Sequence, residues 1–331
     1  MGCHRSGTNL LYDTLLSAGG FAIYRGNLPV FETLIPHFGS LARRRNREQL
    51  LEVWLRSKGF RRSGLDRDLI SRRILDECRS GGGLIRVIMD AVAESQGAAR
   101  WALYDPDNVL HVERLKADIP NALFLHIIRD GRDIALSLKK MGGFSPLPWD
   151  RGETDSLVAT ALYWEWMVDN GHRGGSKFPA DYLEVRYEDL LTEPHKTLER
   201  LSSFLDHDLD YDRIRGAGLG RLSETNSSFR EEEGETGIHP QGRWKKRLSP
   251  ADVAAIEGAV GKCLERNGYG LSWPEGERRP GARHWTKRAI YRNYLNAKRW
   301  LKLNTPAGRM ADIGVLGVED NAAPLAQSAK L

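Results

Sequence analysis

The spacing of apolar residues predicts helices over the first third of the chain. In NLLYDTLLSA, Leu10, Leu11 and Leu15 fall at helical spacing, and the pair Gly19-Gly20 ends the pattern. Residues 47–96 repeat the helical spacing with many arginines between the apolar positions. Glycine-containing turns should break this region near Lys58-Gly59, Ser63-Gly64 and residues 80–83. We expect it to form a helical cover.

Strand and helix patterns alternate further along the chain. ALFLHII (122–128) is a continuous apolar run of strand length, typical of a strand buried on both faces of a parallel sheet. RDGRDIALSLKKM then begins a helix. A second strand over Tyr182 to Tyr187 precedes the helix EPHKTLERLSSFL, and a late helix should begin after Ser249 and stop at Gly268. The alternation predicts a three-layer α/β/α fold with a central parallel sheet.

The composition is that of a soluble globular protein. Of the 331 residues, 28% are charged and 40% are hydrophobic, and no uninterrupted apolar run approaches the roughly 18 residues of a membrane span. Three scattered cysteines (Cys3, Cys78 and Cys263) indicate neither a disulfide framework nor a zinc site. The chain does not open with a secretory signal pattern, so we expect a cytoplasmic location.

The positive charge is concentrated near the end of the chain. Residues 278–302 carry nine Lys/Arg and no acid, although the net charge of the whole chain is only +5. We expect a domain over 1–275, a basic amphipathic helical extension over 276–302 and a disordered tail over 303–331. Basic residues do not cover the whole body and no reading motif is present, so a nucleic-acid role is disfavoured.

Two interpretations of the basic extension stay open. Its apolar stripe, formed by Ile290, Tyr294, Ala297 and Leu301, could pack on the domain while the charges are solvated. Residues 283–302 could instead lie on an anionic membrane surface, which would make the protein membrane-peripheral.

The opening MGCHRSGTNLL has the spacing of a phosphate-binding loop. Small residues at Gly2 and Gly7 let backbone N–H groups turn inward, and the following helix presents its positive end to an anion. Thr8 and Asn9 stand where a nucleotide triphosphatase has its Lys and its magnesium-binding Ser/Thr, which disfavours a phosphate-loop kinase. A turn without any ligand is an equally weighted alternative. The opening also satisfies a myristoylation pattern, a much weaker interpretation.

A second candidate site follows the strand at 122–128. Arg129 comes at the carboxyl end of that strand, and Ser137 comes about two turns into the next helix. Both can therefore face one crevice at the edge of the sheet, where a guanidinium and a hydroxyl would bind a second phosphate. The alternative is that Arg129 only pairs with Asp130 or Asp133.

Together these segments resemble the sulfotransferases that use 3′-phosphoadenosine 5′-phosphosulfate (PAPS). The resemblance rests on the Arg-Ser-Gly-Thr loop, on RDGRDIALSL after its strand, on VRYEDLL (185–191) and on GRWKKRLSP (242–250), and it spans roughly residues 2–270. It implies a phosphate-loop-like sulfotransferase fold, here lacking the strand that should precede the loop. Either the polypeptide starts upstream of Met1 or that strand is lost.

The resemblance also implies roles for individual residues. PAPS would be the co-substrate, and no metal would be required. Its 5′-phosphosulfate would lie in the loop, and its 3′-phosphate would contact Arg129 and Ser137. Two further basic residues could close over the 3′-phosphate. The loop residues are Arg5, Ser6, Gly7, Thr8 and Asn9, and the closing residues are Arg243 and Lys245.

The catalytic residues are harder to identify from the sequence than the binding residues. Arg5 is placed to stabilise the charge of the leaving group. Glu32 is the first candidate for the general base and His111 the second, although an exposed carboxylate and a capping histidine are at least as well supported. Tyr104 replaces a lysine that the family often has. The run 163–166, YWEW, is read as helix core rather than as an acceptor cage.

The implied reaction is sulfuryl transfer to a hydroxyl or amine of a small-molecule, lipid or carbohydrate acceptor. The enzymatic alternative is the phosphate-loop kinase. The non-enzymatic alternative is a nucleotide-binding protein derived from the sulfotransferases.

Overall fold

The computed structural model describes residues 1–142, 144–150, 152–217, 241–272 and 282–317. The strands in these ranges are β1 (Phe21–Ala22), β2 (Arg100–Trp101), β3 (Phe124–Ile128) and β4 (Tyr182–Arg186). The helices are α1 (Thr8–Ser17), α2 (Ile35–Phe38), α3 (Arg44–Trp54), α4 (Lys58–Ser63), α5 (Arg67–Glu77), α6 (Gly81–Gln96), α7 (Val112–Asp118), α8 (Gly131–Met141), α9 (Glu153–Gly175), α10 (Tyr187–Thr192), α11 (Pro194–Leu205), α12 (Tyr211–Ala217), α13 (Trp244–Arg247), α14 (Pro250–Arg266) and α15 (Ala282–Asn304).

The chain forms two compact units. The first contains residues 1–19, 106–116 and 121–299, and the second contains residues 20–105, 117–120 and 300–331. Each unit is assembled from segments that are far apart in sequence, whereas the predicted domain (1–275), extension (276–302) and tail (303–331) follow the order of the chain.

The first unit contains a parallel strand pair. β3 and β4 run parallel, with Phe124 opposite Tyr182 and Ile128 opposite Arg186. On the other side of β3, the ammonium group of Met1 donates to the carbonyl of Leu125 (2.9 Å), and the Met1 carbonyl accepts from the amide of Ile127 (3.0 Å). A residue of a third parallel strand would make this pair of bonds. Met1 therefore occupies the position of the strand that the sequence analysis finds missing.

Helices α8, α9 and α14 enclose the core of the first unit. Trp164 of α9 is fully buried and packs on Gly131, where a Cβ atom would lie 2.6 Å from the indole Cε3. Trp166 is also buried, so the helix-core interpretation of YWEW is confirmed. Loss of a buried tryptophan side chain typically costs about 3–5 kcal/mol. The core holds the helices against the β3–β4 pair.

The second unit is mainly helical. β1 and β2 pair in parallel, with Phe21 opposite Arg100. Helix α4 begins after Ser57, whose hydroxyl accepts from the amide of Phe60, and α6 begins after Ser80, which caps the amide of Gly83 in the same way. Two of the predicted helical breaks, near Lys58-Gly59 and residues 80–83, lie at these caps, because the first amides of a helix have no acceptor within the helix and a serine hydroxyl supplies one.

The α/β class and the parallel strands are confirmed. The predicted strands at 122–128 and 182–187 correspond to β3 and β4. The ranges described contain two separate two-stranded parallel sheets, one in each unit, and most of their other residues are helical. Within the same ranges no helix combines the length and apolar character required to cross a bilayer.

Helix α15 buries a different stripe from the one expected. Tyr291 and Leu295 are its buried apolar residues, whereas Ile290 is 43% exposed and Leu301 48% exposed. The predicted stripe was wrong by about one residue because apolar side chains occur on both sides of this helix. Lys287 pairs with Asp150 on the buried side, at 2.8 Å.

Residues 303–317 are not a disordered tail. They contain two 3₁₀ turns, Pro306–Met310 and Ile313–Leu316, which begin at the caps Thr305 and Asp312. Leu316 is 2% exposed. The sequence did not predict these turns because the apolar pattern in this segment is short. The rest of the predicted tail, 318–331, lies outside the described residues.

Candidate functional site

The opening loop is tightly packed against the ends of β3 and β4. Gly7 has φ 95°, and a Cβ atom there would lie 2.3 Å from Cδ2 of Tyr187. Gly2 has φ 153°, and its Cβ would lie 2.4 Å from the carbonyl oxygen of Ile127. Only glycine meets both requirements at these positions. Arg5 is held at φ 72°, which costs a non-glycine residue roughly 1–2 kcal/mol. The loop is a fixed and locally strained structure.

The loop ends at the start of α1. Gly7 is the N-cap residue and provides no side-chain cap for the first amides of the helix. Ser6 is fully buried, and its hydroxyl oxygen has no hydrogen-bond partner in the described ranges. A buried hydroxyl without a partner costs about 1–3 kcal/mol. An anion in the loop would accept hydrogen bonds from the first amides of α1 and from the Ser6 hydroxyl. The residues present therefore fit a phosphate or sulfate group.

Arg129 is held at the carboxyl end of β3. It is 5% exposed, and its guanidinium lies 4.7 Å from the ring centre of Tyr187. Nη1 donates to the carbonyl of Arg5 (3.2 Å), and Nη2 lies 3.5 Å from Oδ2 of Asp133. The ion pair expected in the alternative interpretation is therefore present, but the same guanidinium also contacts the loop.

Ser137 lies on α8 and faces the loop. Its hydroxyl accepts a hydrogen bond from Nε of Arg5 (3.1 Å), and the residue is 2% exposed. The structure thus brings Arg5 together with Arg129 and Ser137, which lie 124 and 132 residues further along the chain. Thr8 is buried in the first turn of α1, while Asn9 is exposed. Two cationic groups and a hydroxyl converge at one end of the loop.

Asp133 connects this group to the segment GRWK. Its carboxylate accepts from the backbone amides of Gly242 (2.8 Å) and Trp244 (3.0 Å). Burial raises the pKa of Asp133, and the neighbouring Arg129 and the two amides oppose that shift. The contacts fix Arg243, which precedes α13 and is half-buried. Lys245 is exposed and lies 5.7 Å from the ring of Trp244.

Asp130 and Glu188 support the same edge of the sheet. Asp130 caps α8, pairs with Arg132 (2.7 Å) and accepts from the indole N–H of Trp244 (3.1 Å). Glu188 accepts from the amide of Asp130 (3.1 Å) and from the hydroxyl of Tyr269 (2.9 Å). Burial raises the pKa of Glu188 above its ordinary value.

Sequence patterns indicated no supporting role for Tyr187, Asp133 or Glu188, although Asp133 was expected as an ion-pair partner of Arg129. One signal could have found two of them. Tyr187 and Glu188 directly follow β4, and the carboxyl ends of parallel strands meet at one edge of a sheet. No spacing rule indicates the contact of Asp133 with residues 242–244, because 109 residues separate the partners in the bond to Gly242.

The two candidate bases, Glu32 and His111, belong to different units. Glu32 belongs to the second unit, within the π-helical turn Val30–Leu34, and accepts from Nζ of Lys302 (2.7 Å). His111 is 2% exposed and directly precedes α7, where its carbonyl accepts from the amide of Leu115. His111 is therefore at a helix start, as the capping interpretation expects, but it is buried rather than solvated.

Parallel strands, a glycine-bounded loop at a helix start and a facing arginine define an α/β protein whose loop has the geometry expected of an anion site. The family follows from the sequence comparison. The family model described as "Sulfotransferase family" matches residues 1–211, so the chain belongs to the sulfotransferase family.

Individual relatives agree with this assignment. Protein-tyrosine sulfotransferase A of Caenorhabditis elegans is 27% identical over 187 residues, which cover 54% of this chain and 47% of the relative. The chain therefore spans about half the length of that curated relative. The similarity supports a transferase of the sulfotransferase kind in general.

Two solved structures share the fold. The sulfotransferase domain from the curacin biosynthetic pathway aligns with a TM-score of 0.51 at 17% identity, over 82% of this chain and 96% of that domain. The sulfotransferase domain of the Synechococcus PCC 7002 olefin synthase gives 0.50 at 15% identity, over 82% and 93%. At these identities the likeness concerns the fold alone.

Proposed function

We propose that the protein transfers a sulfuryl group from PAPS to a hydroxyl or amine of an acceptor. The observation that carries the proposal is the convergence of Arg5, Arg129 and Ser137 on the loop that opens α1. PAPS has negative charge at its 5′ and its 3′ end, and the site offers separate groups for each. The family assignment supports the reaction class.

The loop would hold the 5′-phosphosulfate. Arg5 and the first amides of α1 would neutralise the charge that develops on the leaving group, and the buried Ser6 hydroxyl would gain a partner. Arg129 and Ser137 would hold the 3′-phosphate, with Arg243 closing over it and Lys245 contributing from its exposed position. PAPS supplies the sulfuryl group when it is bound, and the protein supplies orientation and charge.

The general base and the acceptor are parts of the same proposal. We retain Glu32 as the residue that accepts the acceptor's proton, with Lys302 holding its carboxylate in place. The acceptor is a small molecule, a lipid or a carbohydrate. The relative from Caenorhabditis elegans is named for protein tyrosine, so an acceptor screen should include a tyrosine peptide. A cytoplasmic setting suits the three free, buried cysteines.

Calorimetric titration with 3′-phosphoadenosine 5′-phosphate (PAP) tests the donor site. We expect micromolar binding of PAP, about −8 kcal/mol, and little response to ATP with magnesium. Binding of ATP-magnesium instead of PAP would favour the kinase alternative. Binding of PAP without turnover of any acceptor would favour a nucleotide-binding protein.

Variants at Arg129 and Ser137, both of which also contact Arg5 of the loop, test the 3′-phosphate contact. Arg129→Ala and Ser137→Ala should weaken PAP about 10- to 100-fold but adenosine 5′-phosphate, which lacks the 3′-phosphate, far less. Lys196→Ala, an exposed lysine on α11, is the control for loss of a positive charge. Glu32→Gln should leave PAP affinity unchanged and lower turnover. Equal weakening of both nucleotides in Ser137→Ala would reject our assignment of the 3′-phosphate.

A further inference from the structure

A group of potential metal ligands lies on one face of the β3–β4 pair. His126 of β3 stands opposite Glu184 of β4 in the parallel register, so the two side chains share a face of the sheet. His172 comes from the last turns of α9, and its ring centre lies 6.0 Å from that of His126. One ligand atom from each of the three residues lies within 4.8 Å of the others.

His126 provides an independent indication of a ligand. The residue is fully buried, and its Nδ1 lies 2.5 Å from the hydroxyl of Tyr182. Its Nε2 is buried and has no hydrogen-bond partner among the residues described. A hydrogen bond at one ring nitrogen that leaves the other unpartnered is the usual arrangement of a metal-bound histidine, because the second contact fixes the tautomer.

His172 has a similar environment. Its Nε2 lies 3.1 Å from Oε1 of Glu184, yet it is buried and in the described part of the chain no acceptor meets hydrogen-bond geometry with it. A fully buried imidazole, a partly buried imidazole and an exposed carboxylate thus meet with unused coordination capacity. The side chain of Glu184 is 43% exposed, which leaves a route for an ion from solvent.

We propose that His126, His172 and Glu184 bind a divalent transition-metal ion, with zinc as the best-suited ion. Two imidazole nitrogens and a carboxylate oxygen form a donor set that zinc uses in proteins, with the fourth position left for water. Zinc bonds of about 2.0–2.1 Å in a tetrahedron require ligand atoms roughly 3.3 Å apart. His172 Nε2 and Glu184 Oε1 already lie 3.1 Å apart, and the ligand atoms of all three residues lie within 4.8 Å of one another.

The proposed site is separate from the donor site. His126 lies on β3 and precedes Arg129, which directly follows that strand, by three residues, or about 10 Å of extended chain. The ion would link β3, β4 and α9, and would stabilise the sheet edge on which Arg129 is mounted. The inference does not depend on the proposed reaction. No spacing along the chain indicates it, because 46 residues separate the histidines.

Metal binding by the full chain tests the proposal. The protein is stripped with a chelator, dialysed against zinc and then analysed for bound metal, with magnesium as a hard-ion control. We expect one zinc per chain and no magnesium. Cobalt should give visible absorption bands of a tetrahedral site. Glu184→Gln and His172→Ala should weaken zinc at least tenfold, and Tyr182→Phe should weaken it less than either.

Control variants exclude binding to other surface groups. His207→Ala and Glu193→Gln remove a histidine and a carboxylate of the same unit outside the cluster, and they should leave zinc affinity unchanged. Because Glu184 is exposed, its glutamine variant should fold even if His172→Ala does not. Absence of stoichiometric zinc in the wild type would overturn the proposal, as would equal zinc affinity in Glu184→Gln and the controls.

Discussion

Glu188 shows how a single residue can hold together the edge of the sheet at the ends of β3 and β4, although burial of its carboxyl group disfavours the ionised form. Its carboxyl group accepts from the amide of Asp130 and the hydroxyl of Tyr269, yet burial is the dominant influence and raises its pKa above the ordinary value of a glutamate. A carboxyl whose pKa is raised on folding binds its proton more tightly in the native state than in the unfolded one. Ionisation of Glu188 therefore lowers the free energy of unfolding as the pH rises from its unfolded to its folded pKa.

The variant Glu188→Gln tests this residue. Glutamine approximates the protonated side chain, so the variant should lose less stability than the wild type when the pH is raised from 4.5 to 7. Urea denaturation at several pH values measures the difference. Glu199→Gln, an exposed residue on α11, is the matched control. An unchanged pH dependence in Glu188→Gln would contradict the direction of the shift.

At the scale of elements, the opening loop depends on contacts rather than on its motif alone. Gly7 combines φ 95° with a close approach to the ring of Tyr187 at the start of α10. Gly97, after α6, has φ 62° with no atom within 4 Å of the Cβ position. A comparison of the two positions therefore distinguishes the energetic effect of the left-handed backbone from the effect of the steric contact.

Substitution of each glycine by alanine tests this difference. Gly97→Ala should cost about 1 kcal/mol of unfolding free energy, which is the left-handed penalty alone. Gly7→Ala should cost more, and it should also abolish PAP binding because the Tyr187 ring must move. Denaturant unfolding and PAP titration of both variants provide the test. Equal losses of stability with retained PAP binding in Gly7→Ala would show that the contact is unimportant.

The predictable and unpredictable parts of the site differ in the range of their contacts. The strand before Arg129 and the helix carrying Ser137 could be predicted because apolar runs and caps are local signals. The loop was recognisable from Gly2 and Gly7. The contact of Asp133 with residues 242–244 and the pairing of Glu32 with Lys302 could not be predicted, because they join segments more than 100 residues apart. The stripe of α15 was misplaced because this helix is apolar on two faces.

At the scale of the whole molecule, the structure shows how the positive charge concentrated in residues 278–302 is arranged on α15. Helix α15 uses Tyr291 and Leu295 for the core, and Lys287 pairs on that side. Its exposed apolar residues, at 43–59% exposure, are Trp285, Ile290, Trp300 and Leu301. At 100° per residue these four fall within one half of the helix, opposite the buried pair. The exposed half contains no charged residue between 284 and 302, and cations such as Arg292 and Lys298 flank it.

We propose from this arrangement that α15 contacts the surface of an anionic membrane, the second of the two interpretations of the basic extension. The tryptophans and leucine would enter the interface while the flanking cations meet lipid phosphates. Leu301→Glu places a charge in the exposed half and should reduce sedimentation with phosphatidylserine vesicles roughly tenfold. Leu69→Glu, at a leucine of α5 that is 53% exposed, is the matched control and should bind like the wild type. Equal binding of the two variants would reject the proposal, because the contact would then not involve this face of α15.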